Sequence, residues 1–353
     1  MDRKTLLLLG FSLLILVIML WFVGIEQVIG ALKIANASII ALAIGVQVLT
    51  YFLYTLRWQI LSRVADMDVS IKSLLPMVLV GLAVNNITPS GRGGGEPVRA
   101  YLLSKQKGYL MEETFATVVA DRALDTFPFI VLAAITVASM ALYFDFDLWL
   151  LIVMVLSVIV IVAILIILIY MCINPNFGKR VDGWIIGLVR RFYKKNSESL
   201  EEKIHGVIFG FQDTMKLLIS NKRGLYYTIP LSFIIWFFEI FRVYLVFLAF
   251  GANINFIIIG EVFIVASLVG MIPLLPGGLG AVDGIMILFY STAGISSSLS
   301  AAATVIERLI SFWMATILGL VILPYYGSSV LNKVSFSSSE ELEEALEEDL
   351  AEE

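Results

Sequence analysis

The chain has 353 residues, of which 59% are hydrophobic and only 15% charged, with a mean hydropathy of +0.94. Soluble domains hold roughly 45–50% apolar residues, so this composition indicates an integral membrane protein and excludes an ordinary soluble enzyme. The formal net charge is −5, but residues 340–353 contain nine acidic and no basic residues, so the rest of the chain is basic, at about +4.

Cysteine and histidine are almost absent, with Cys172 and His205 the single examples of each. An intrachain disulfide, a Cys/His metal cluster and a Ser-His-Asp triad are therefore excluded. We expect no catalytic residues, no metal site and no cofactor, and a lipid rather than a nucleic acid as the partner.

Apolar runs long enough to cross a ~30 Å hydrocarbon layer, which takes about 20 helical residues, occur six times. They are 5–24, 38–61, 114–143, 148–173, 226–250 and 301–324. Two further apolar stretches, 74–105 and 256–291, are interrupted by glycine and proline. The pattern predicts an all-α polytopic membrane protein with about six full transmembrane helices and two re-entrant broken hairpins.

The loop at 174–224 carries ten lysines and arginines, whereas the short loops at 144–147 and 251–255 carry none. The positive-inside rule places the basic loop in the cytoplasm. Counting the crossings from that loop puts both termini of this multi-pass protein in the cytoplasm, at the cell membrane.

A two-part pattern occurs twice at one constant offset. ITPSGRGGGEPVR (87–99) precedes VVADRALD (118–125), and IPLLPGGLGAVDG (272–284) precedes TVIERLIS (304–311). Duplicated, interrupted membrane segments are typical of transporters. Three crossings separate the two breaks, so we predict an inverted repeat in which the hairpins enter the membrane from opposite faces.

These features divide the chain into a transmembrane domain at 1–334 and an acidic cytoplasmic tail at 335–353. Repeat one is predicted at 5–143 and repeat two at 148–324, with a cytoplasmic insertion at 174–224. Apolar residues recur in that insertion at helical spacing, which indicates helices at the inner lipid surface or, alternatively, a regulatory site. The tail is expected to be solvated, with partner binding as the alternative.

Irregular backbone at membrane depth must be enclosed by protein or line a wet cavity, so two breaks predict a polar, positively biased chamber. A half-helix that restarts near Glu96 would point its N-terminus at a bound anion, and glycines would let backbone amides approach it. The alternative is that the glycines only permit tight turns and close packing. Binding residues expected in the first break are Thr88, Ser90, Gly91, Arg92, Gly93, Gly94, Gly95, Glu96 and Arg99. Those expected in the second are Pro276, Gly277, Gly278, Gly280 and Asp283.

Seven charged residues fall inside predicted spans, where each costs at least ~2.5–3.5 kcal/mol unless it is paired or wet. They are Asp121, Arg122, Asp125, Glu239, Arg242, Glu307 and Arg308. These acids and arginines neutralise one another to lock the bundle, or the arginines hold a lipid phosphate while a carboxylate carries a coupling proton. Arg57, near the end of its helix, is expected to snorkel to the surface.

At these motifs the chain resembles the flippase-like family that includes the transmembrane domain of lysylphosphatidylglycerol synthases. The resemblance extends over 5–324, and its family motifs match Pro89 to Gly95, Pro273 to Gly280, Asp121-Arg122 and Glu307-Arg308. In the synthases a similar domain is joined to a soluble aminoacyl transferase and moves the modified lipid between leaflets. The resemblance therefore implies lipid translocation and leaves the cargo open among aminoacylated phosphatidylglycerol, a polyprenyl-phosphate sugar and other anionic phospholipids.

We expect a flippase or scramblase that moves an anionic membrane lipid across the lipid bilayer, with a lipid-modifying enzyme as a possible partner and an undetermined oligomeric state. Two alternatives remain. One is a membrane-embedded transferase or phosphatase for lipid headgroups, using Glu96 or Asp121 as general base. The other is a scaffold subunit for a membrane glycosyltransferase.

Overall fold

In the computed structural model of the chain, the residues described are 30, 33–88, 94–143, 148–192, 197–270, 278 and 280–326. They form helices joined by short connections, with no β-strand in this part of the chain. Five of the described helices are long and apolar enough to cross a membrane. The prediction of an all-α polytopic membrane protein is confirmed, while the predicted span at 5–24 and the acidic tail lie outside the described residues.

The first unit is a long helix, two short helices and a second long helix. These are α1 (Ala37–Val64), α2 (Ile71–Ile87), α3 (Gly95–Lys107) and α4 (Met111–Tyr143). Three helices then connect the units: α5 (Leu148–Ile173), α6 (Pro175–Phe192) and α7 (Ser197–Ser220). The sequence between α2 and α3 is rich in glycine.

The second unit repeats the order of long, short, short and long. Its helices are α8 (Lys222–Ala249), α9 (Phe256–Gly270), α10 (Ala281–Thr292), α11 (Ser297–Arg308) and α12 (Met314–Ile322). A single π-helical turn, Leu309–Trp313, joins α11 to α12 into one membrane-spanning rod. Such π turns often lie at functional sites, and this one follows directly after Arg308.

Local signals explain where several helices begin and end. The side chain of Asn36 caps α1 by accepting a hydrogen bond from the Ser38 amide at 3.0 Å, as expected for an N-cap asparagine. The short helices α3 and α10 are followed by Gly108 and Gly294, whose φ angles of 75° and 86° favour glycine. These two glycines occupy equivalent positions in the two units.

The first helices of the two units, α1 and α8, run antiparallel along each other. The Asn36 amide at the start of α1 donates to the Ala249 carbonyl at the end of α8, at 2.8 Å. Near the other end of the pair, Arg57 Nη1 donates to Ser232 Oγ at 3.0 Å. An antiparallel relation between equivalent helices is what an inverted repeat requires; the residue boundaries of the two repeats stay a prediction.

The periphery of the bundle contains α5 and the helices of the insertion. Only 6% of the residues in the most apolar window of α5 are buried, so most of its apolar side chains are at least partly exposed, as expected for a helix that faces lipid. α7 packs against the bundle through Met215 and Leu218, which share an apolar cluster with Leu61 and Ala116. The predicted helices in the insertion are confirmed, and their position at the inner lipid surface stays a prediction.

Close backbone packing joins α12 to α2. A Cβ atom at Gly319 would collide with the Leu79 carbonyl and with the Ala83 side chain. Small residues at such crossings let membrane helices approach closely and gain dispersion energy. We therefore expect Gly319→Ala to lower the free energy of unfolding by about 1–3 kcal/mol, the usual cost of overpacking.

The matched control is Gly45→Ala in α1, because nothing lies within 4 Å of a Cβ atom at that position. Alanine should be neutral or stabilise there by up to about 1 kcal/mol. Thermal unfolding of both variants in one detergent measures the difference. Equal melting temperatures would contradict the tight α2–α12 crossing.

Candidate functional site

Arg57, Arg99, Asp121 and Asp125 form a buried ionic cluster in the first unit. Arg57 of α1 contacts two carboxylates of α4, with its Nε 2.7 Å from Asp121 Oδ1 and its Nη1 3.0 Å from Asp125 Oδ1. Arg99 of α3 reaches the other oxygen of Asp121 at 2.9 Å. Asp121 thus binds α1 and α3 to α4, and its two oxygens accept charge-assisted hydrogen bonds from two guanidinium groups.

The expectation that Arg57 snorkels to the surface is wrong. Its side chain is only 1% exposed and is enclosed by the carboxylates of α4. Distance from the helix end favoured snorkelling, but the side chain points into the bundle, where opposite charges replace water.

Glu96 and Arg122 form a second, more open ion pair at the start of α3. Arg122 donates to Glu96 through Nε at 2.9 Å and also through Nη2. The Arg122 side chain is 41% exposed, far more than that of Arg57 or Asp121. This pair is therefore the most accessible part of the ionic site.

Asn85 joins the two arms of the first hairpin. Its Oδ1 accepts from the Gly95 amide at 2.6 Å, and its Nδ2 donates to Glu96 Oε1 at 3.3 Å. One backbone amide at the N-terminus of α3, which the sequence suggested would bind an anion, is therefore already hydrogen-bonded to Asn85. The second hydrogen bond of Asn85 orients Glu96 toward Arg122.

The second unit repeats this ionic arrangement with different residues. Arg242 of α8 donates to Glu307 of α11 at 2.8 Å and to Glu239 one turn away on its own helix. Arg308 Nε lies 2.8 Å from Asp283 Oδ1 at the start of α10. The Arg308 guanidinium also stacks on the ring of Phe312, 4.6 Å from its centroid.

Equivalent residues make equivalent contacts across the two units. The first-helix arginine pairs with the acid of the last helix in both, as Arg57 with Asp121 and Arg242 with Glu307. The arginine that follows this acid pairs in both units with a carboxylate in the first turn of a short helix, as Arg122 with Glu96 of α3 and Arg308 with Asp283 of α10. The duplicated sequence pattern therefore corresponds to a duplicated ion-pair geometry.

The first-helix arginines also cross from one unit to the other. Arg57 donates to Ser232 of α8, and Arg242 donates to Gln47 of α1. Ser232 and Gln47 each lie ten residues before the arginine of their own helix. These reciprocal polar contacts hold α1 and α8 together at the interface between the two units.

Both units contribute to one cavity of about 160 Å³. That space is well above the ~10–15 Å³ that one water needs. Its charged lining consists of five arginines and five carboxylates, namely Arg57, Arg99, Arg122, Arg242, Arg308, Glu96, Asp121, Asp125, Glu239 and Glu307. The structure thus places nine of the predicted site residues, together with Arg57, around one polar space. The expected positive bias is absent from the described lining, because the carboxylates balance the arginines.

Other predicted site residues lie outside the cavity lining or outside the described residues. Thr88, Gly94, Gly95, Gly278, Gly280 and Asp283 are not part of the lining. Thr88 directly follows the last residue of α2, and its hydroxyl donates to the Val84 carbonyl at 2.7 Å. Ser90, Gly91, Arg92, Gly93, Pro276 and Gly277 lie outside the described residues.

Sequence reasoning missed the uncharged polar lining. Gln47, Tyr51, Tyr54, Asn85, Asn86 and Ser267 face the cavity alongside the charged residues. The adjacent amides at 85 and 86 within an apolar run were a usable signal. Asn86 donates to the Phe312 carbonyl at 3.0 Å and so fastens α2 to the π turn.

Some polar atoms of the cavity have no protein partner in the structure. Glu96 Oε2, Arg99 Nε, Arg242 Nε and the Tyr51 hydroxyl are buried in this way. An unsatisfied buried donor or acceptor costs about 1–3 kcal/mol, so these atoms favour a hydrated or ligand-binding cavity. No group of three or more potential metal ligands occurs among the residues for which the structure is described.

Comparison with known proteins extends the likeness over almost the whole described chain. Residues 6–319 match the model of the family described as the lysylphosphatidylglycerol synthase TM region. A "UPF0104 membrane protein" of Methanothermobacter thermautotrophicus is 50% identical over 95% of this chain and 99% of its own length. Membrane proteins of the same description from Pyrococcus horikoshii and Methanocaldococcus jannaschii are each 30% identical, over 90% and 91% of this chain and 96% and 94% of their own lengths.

The buried position of Arg57 predicts that its removal destabilises the bundle. In Arg57→Gln, Asp121 keeps only Arg99, and Asp125 keeps only the more distant Arg122 at 3.6 Å. Removal of one partner from a buried ionic cluster costs about 3–5 kcal/mol. Unfolding in detergent, monitored by circular dichroism, measures this loss.

Arg63 is the matched control because it lies on the same helix but is exposed. Arg63→Gln should change the free energy of unfolding by less than about 0.5 kcal/mol. Adding Asp125→Asn to Arg57→Gln should restore part of the stability. Equal stability of the two single variants would refute the buried ionic cluster.

Proposed function

Since the chain belongs to the family of the lysylphosphatidylglycerol synthase transmembrane region, we propose that it translocates a lipid with an anionic headgroup between membrane leaflets. One observation supports this proposal: residues of both units line one cavity, and its described charged lining is made of five arginines and five carboxylates. Such a set of charges is costly within a bilayer, and charged residues in membrane spans usually mark substrate pathways.

Headgroup binding is proposed at the arginines nearest to the opening of the cavity. The planar guanidinium of Arg122 suits a phosphate group, and its 41% exposure makes it the first arginine that a headgroup would meet. Arg99 lies deeper, with its guanidinium 4.6 Å above the ring of Trp58 and its Nε unpartnered. A phosphate could therefore pass from the exposed arginine to the buried one.

Binding of an anion requires an exchange of partners. Because the described arginines are already matched by carboxylates, a phosphate at Arg122 must compete with Glu96. Exchange of one anion for another keeps the charge-assisted hydrogen bonds of the guanidinium, while the displaced Glu96 carboxylate, which is 13% exposed, takes its hydrogen bonds from water in the cavity. The cavity can thus accept and release a headgroup without a large change in free energy, while the acyl chains stay in the bilayer.

Alternating access is proposed between the two units. Inverted repeats commonly rock against each other around a site at their interface. The reciprocal contacts of Arg57 with Ser232 and of Arg242 with Gln47 lie at this interface. Motion of one unit relative to the other about α1 and α8 would open the cavity to one leaflet and then to the other.

The remaining parts of the proposal concern the cellular setting. We propose that the protein lies in the cell membrane with both termini in the cytoplasm. We also propose that it acts without chemical turnover of the lipid, receiving cargo from a lipid-modifying enzyme. Turnover of a headgroup-labelled lipid by the pure protein in detergent would instead favour an enzyme.

Substitution of the accessible arginine should slow lipid movement. The proposal predicts that Arg122→Gln lowers the protein-dependent rate by about 10- to 100-fold, since a hydrogen bond to a charged group contributes about 1.5–3 kcal/mol. The measurement uses liposomes with a fluorescent anionic phospholipid and an impermeant quencher.

Arg223→Gln provides the control, because Arg223 is an exposed arginine in the first turn of α8, away from the cavity lining. It should keep the wild-type rate. Equal rates in liposomes with and without the wild-type protein would exclude translocation of that lipid. A normal rate in Arg122→Gln would exclude the proposed headgroup site.

A further inference from the structure

Two hydroxyl groups on α11 are buried without hydrogen-bond partners. Ser300 is 0% exposed and Thr304 is 2% exposed, and neither side-chain hydroxyl has a hydrogen-bond partner in the structure. They lie one helical turn apart, on the same face. Within a helix, a serine or threonine hydroxyl can donate to the carbonyl four residues earlier, but these two do not.

Buried hydroxyls elsewhere in the bundle do make this bond. Thr50 donates to the Val46 carbonyl at 2.9 Å, and Thr228 donates to the Gly224 carbonyl at 2.9 Å. Ser300 and Thr304 could therefore have donated to the carbonyl four residues earlier in the same way. Instead, both hydroxyls remain without a hydrogen-bond partner among the described residues.

The first unit has no equivalent pair. At the repeat offset, Ser300 corresponds to Thr114, whose hydroxyl donates to the Met111 carbonyl at 2.9 Å. Thr304 corresponds to Val118, which has no hydroxyl. The two unpartnered hydroxyls are thus a property of the second unit. The first unit packs its equivalent helix without them.

The row formed by Ser300 and Thr304 leads to a cavity carboxylate. Glu307 follows Thr304 by three residues and lies on the same face of α11, with its side chain 3% exposed. Tyr290 of α10 is fully buried in one apolar cluster with Ala303 and Ile306 of α11, and its hydroxyl also has no partner. At the other end, the exposed Ser297 begins α11 one turn before Ser300.

We propose that Ser300, Thr304 and Tyr290 hold a file of water molecules between α10 and α11, and that this file delivers solvent protons to Glu307. Each hydroxyl left dry would cost about 1–3 kcal/mol, whereas buried water commonly satisfies such groups with about three hydrogen bonds. A chain of hydroxyls and water from solvent to a buried acid is a route for protons in membrane proteins.

The proton step balances within the site. A proton from the water file binds the Glu307 carboxylate, forming a neutral acid and removing the ionic partner that lies 2.8 Å from Arg242 Nη2. Glu307 shares the cavity lining with the titratable groups of Glu239 on α8 and Tyr51 on α1 and with the adjacent Arg308, and Tyr290 on α10 packs in the same apolar cluster as residues of α11. With Glu307 neutral, Arg242 can offer its charge to a phosphate, and loss of the proton restores the ion pair.

This role in transport rests on the proposed function, but the proton path itself can be tested without lipid movement. Infrared difference spectra of the protein in lipid nanodiscs, recorded between acidic and neutral pH, should contain a protonated-carboxyl band that disappears in Glu307→Gln. After transfer to heavy water, the band should shift about tenfold more slowly in Ser300→Ala/Thr304→Val, because two lost hydrogen bonds raise the barrier by about 1.4 kcal/mol.

Thr50→Val is the control, since Thr50 is equally buried but bonds to its own helix; it should keep the wild-type exchange time. Persistence of the whole band in Glu307→Gln would overturn the assignment of the proton to Glu307. Unchanged exchange in the double variant, with an unchanged melting temperature, would overturn the water file.

Lipid movement in liposomes with and without a pH gradient separates this inference from the proposed function. If wild-type protein moves no lipid but retains the Glu307 band and its hydroxyl-dependent exchange, translocation fails and the proton path stands. If lipid movement responds to the gradient equally in wild type and Glu307→Gln, the proposed coupling at Glu307 is wrong.

Discussion

Charges within a bilayer cannot be solvated by water, and this constraint determines how the helices of the protein are arranged. Each arginine or carboxylate in a span costs at least about 2.5–3.5 kcal/mol unless it meets an opposite charge or a wet cavity. Asp121 satisfies the constraint by contacting Arg57 of α1 and Arg99 of α3, and so it fixes three helices at one point. The ionic residues are therefore structural elements of the bundle as well as candidates for headgroup binding. Removal of a single member leaves an uncompensated charge, which is why the network must be treated as a unit.

The same pairing of buried charges occurs in both units of the duplicated sequence. The pairing of a first-helix arginine with a last-helix acid recurs in Arg57 with Asp121 and in Arg242 with Glu307. Because α1 and α8 run antiparallel, each arginine also reaches a polar side chain of the other unit, Ser232 or Gln47. The symmetry is incomplete, however. The π turn after α11 and the unpartnered hydroxyls of the same helix occur in the second unit, so the two units surround the cavity with different side-chain environments.

Helical spans, breaks and same-face charge pairs could be predicted from the sequence, because they depend on local periodicity and on glycine and proline. Asp121 and Asp125 are four residues apart, a spacing that places both on one face of a helix, and both contact Arg57. The orientation of Arg57 could not be predicted in the same way, since position along a helix does not determine which neighbour a side chain faces. Asn85 was missed because its contacts join two arms of a hairpin whose approach depends on tertiary packing. The charge balance of the cavity likewise depends on which acids converge there.

For the proposed transport, the balance of charge in the cavity matters as much as the number of arginines. A cavity with an excess of arginines would hold an anionic headgroup tightly and release it slowly, whereas conduction requires binding that is favourable but weak enough to reverse. Paired arginines bind an anion only by exchanging one carboxylate for another acceptor, so the gain in free energy is small. The exposure of Arg122, 41% against 8% for Arg308, places the easiest exchange in the first unit. A second exchange at Arg242 would need Glu307 to give up its charge, which gives a buried proton path a physical reason to end at that residue.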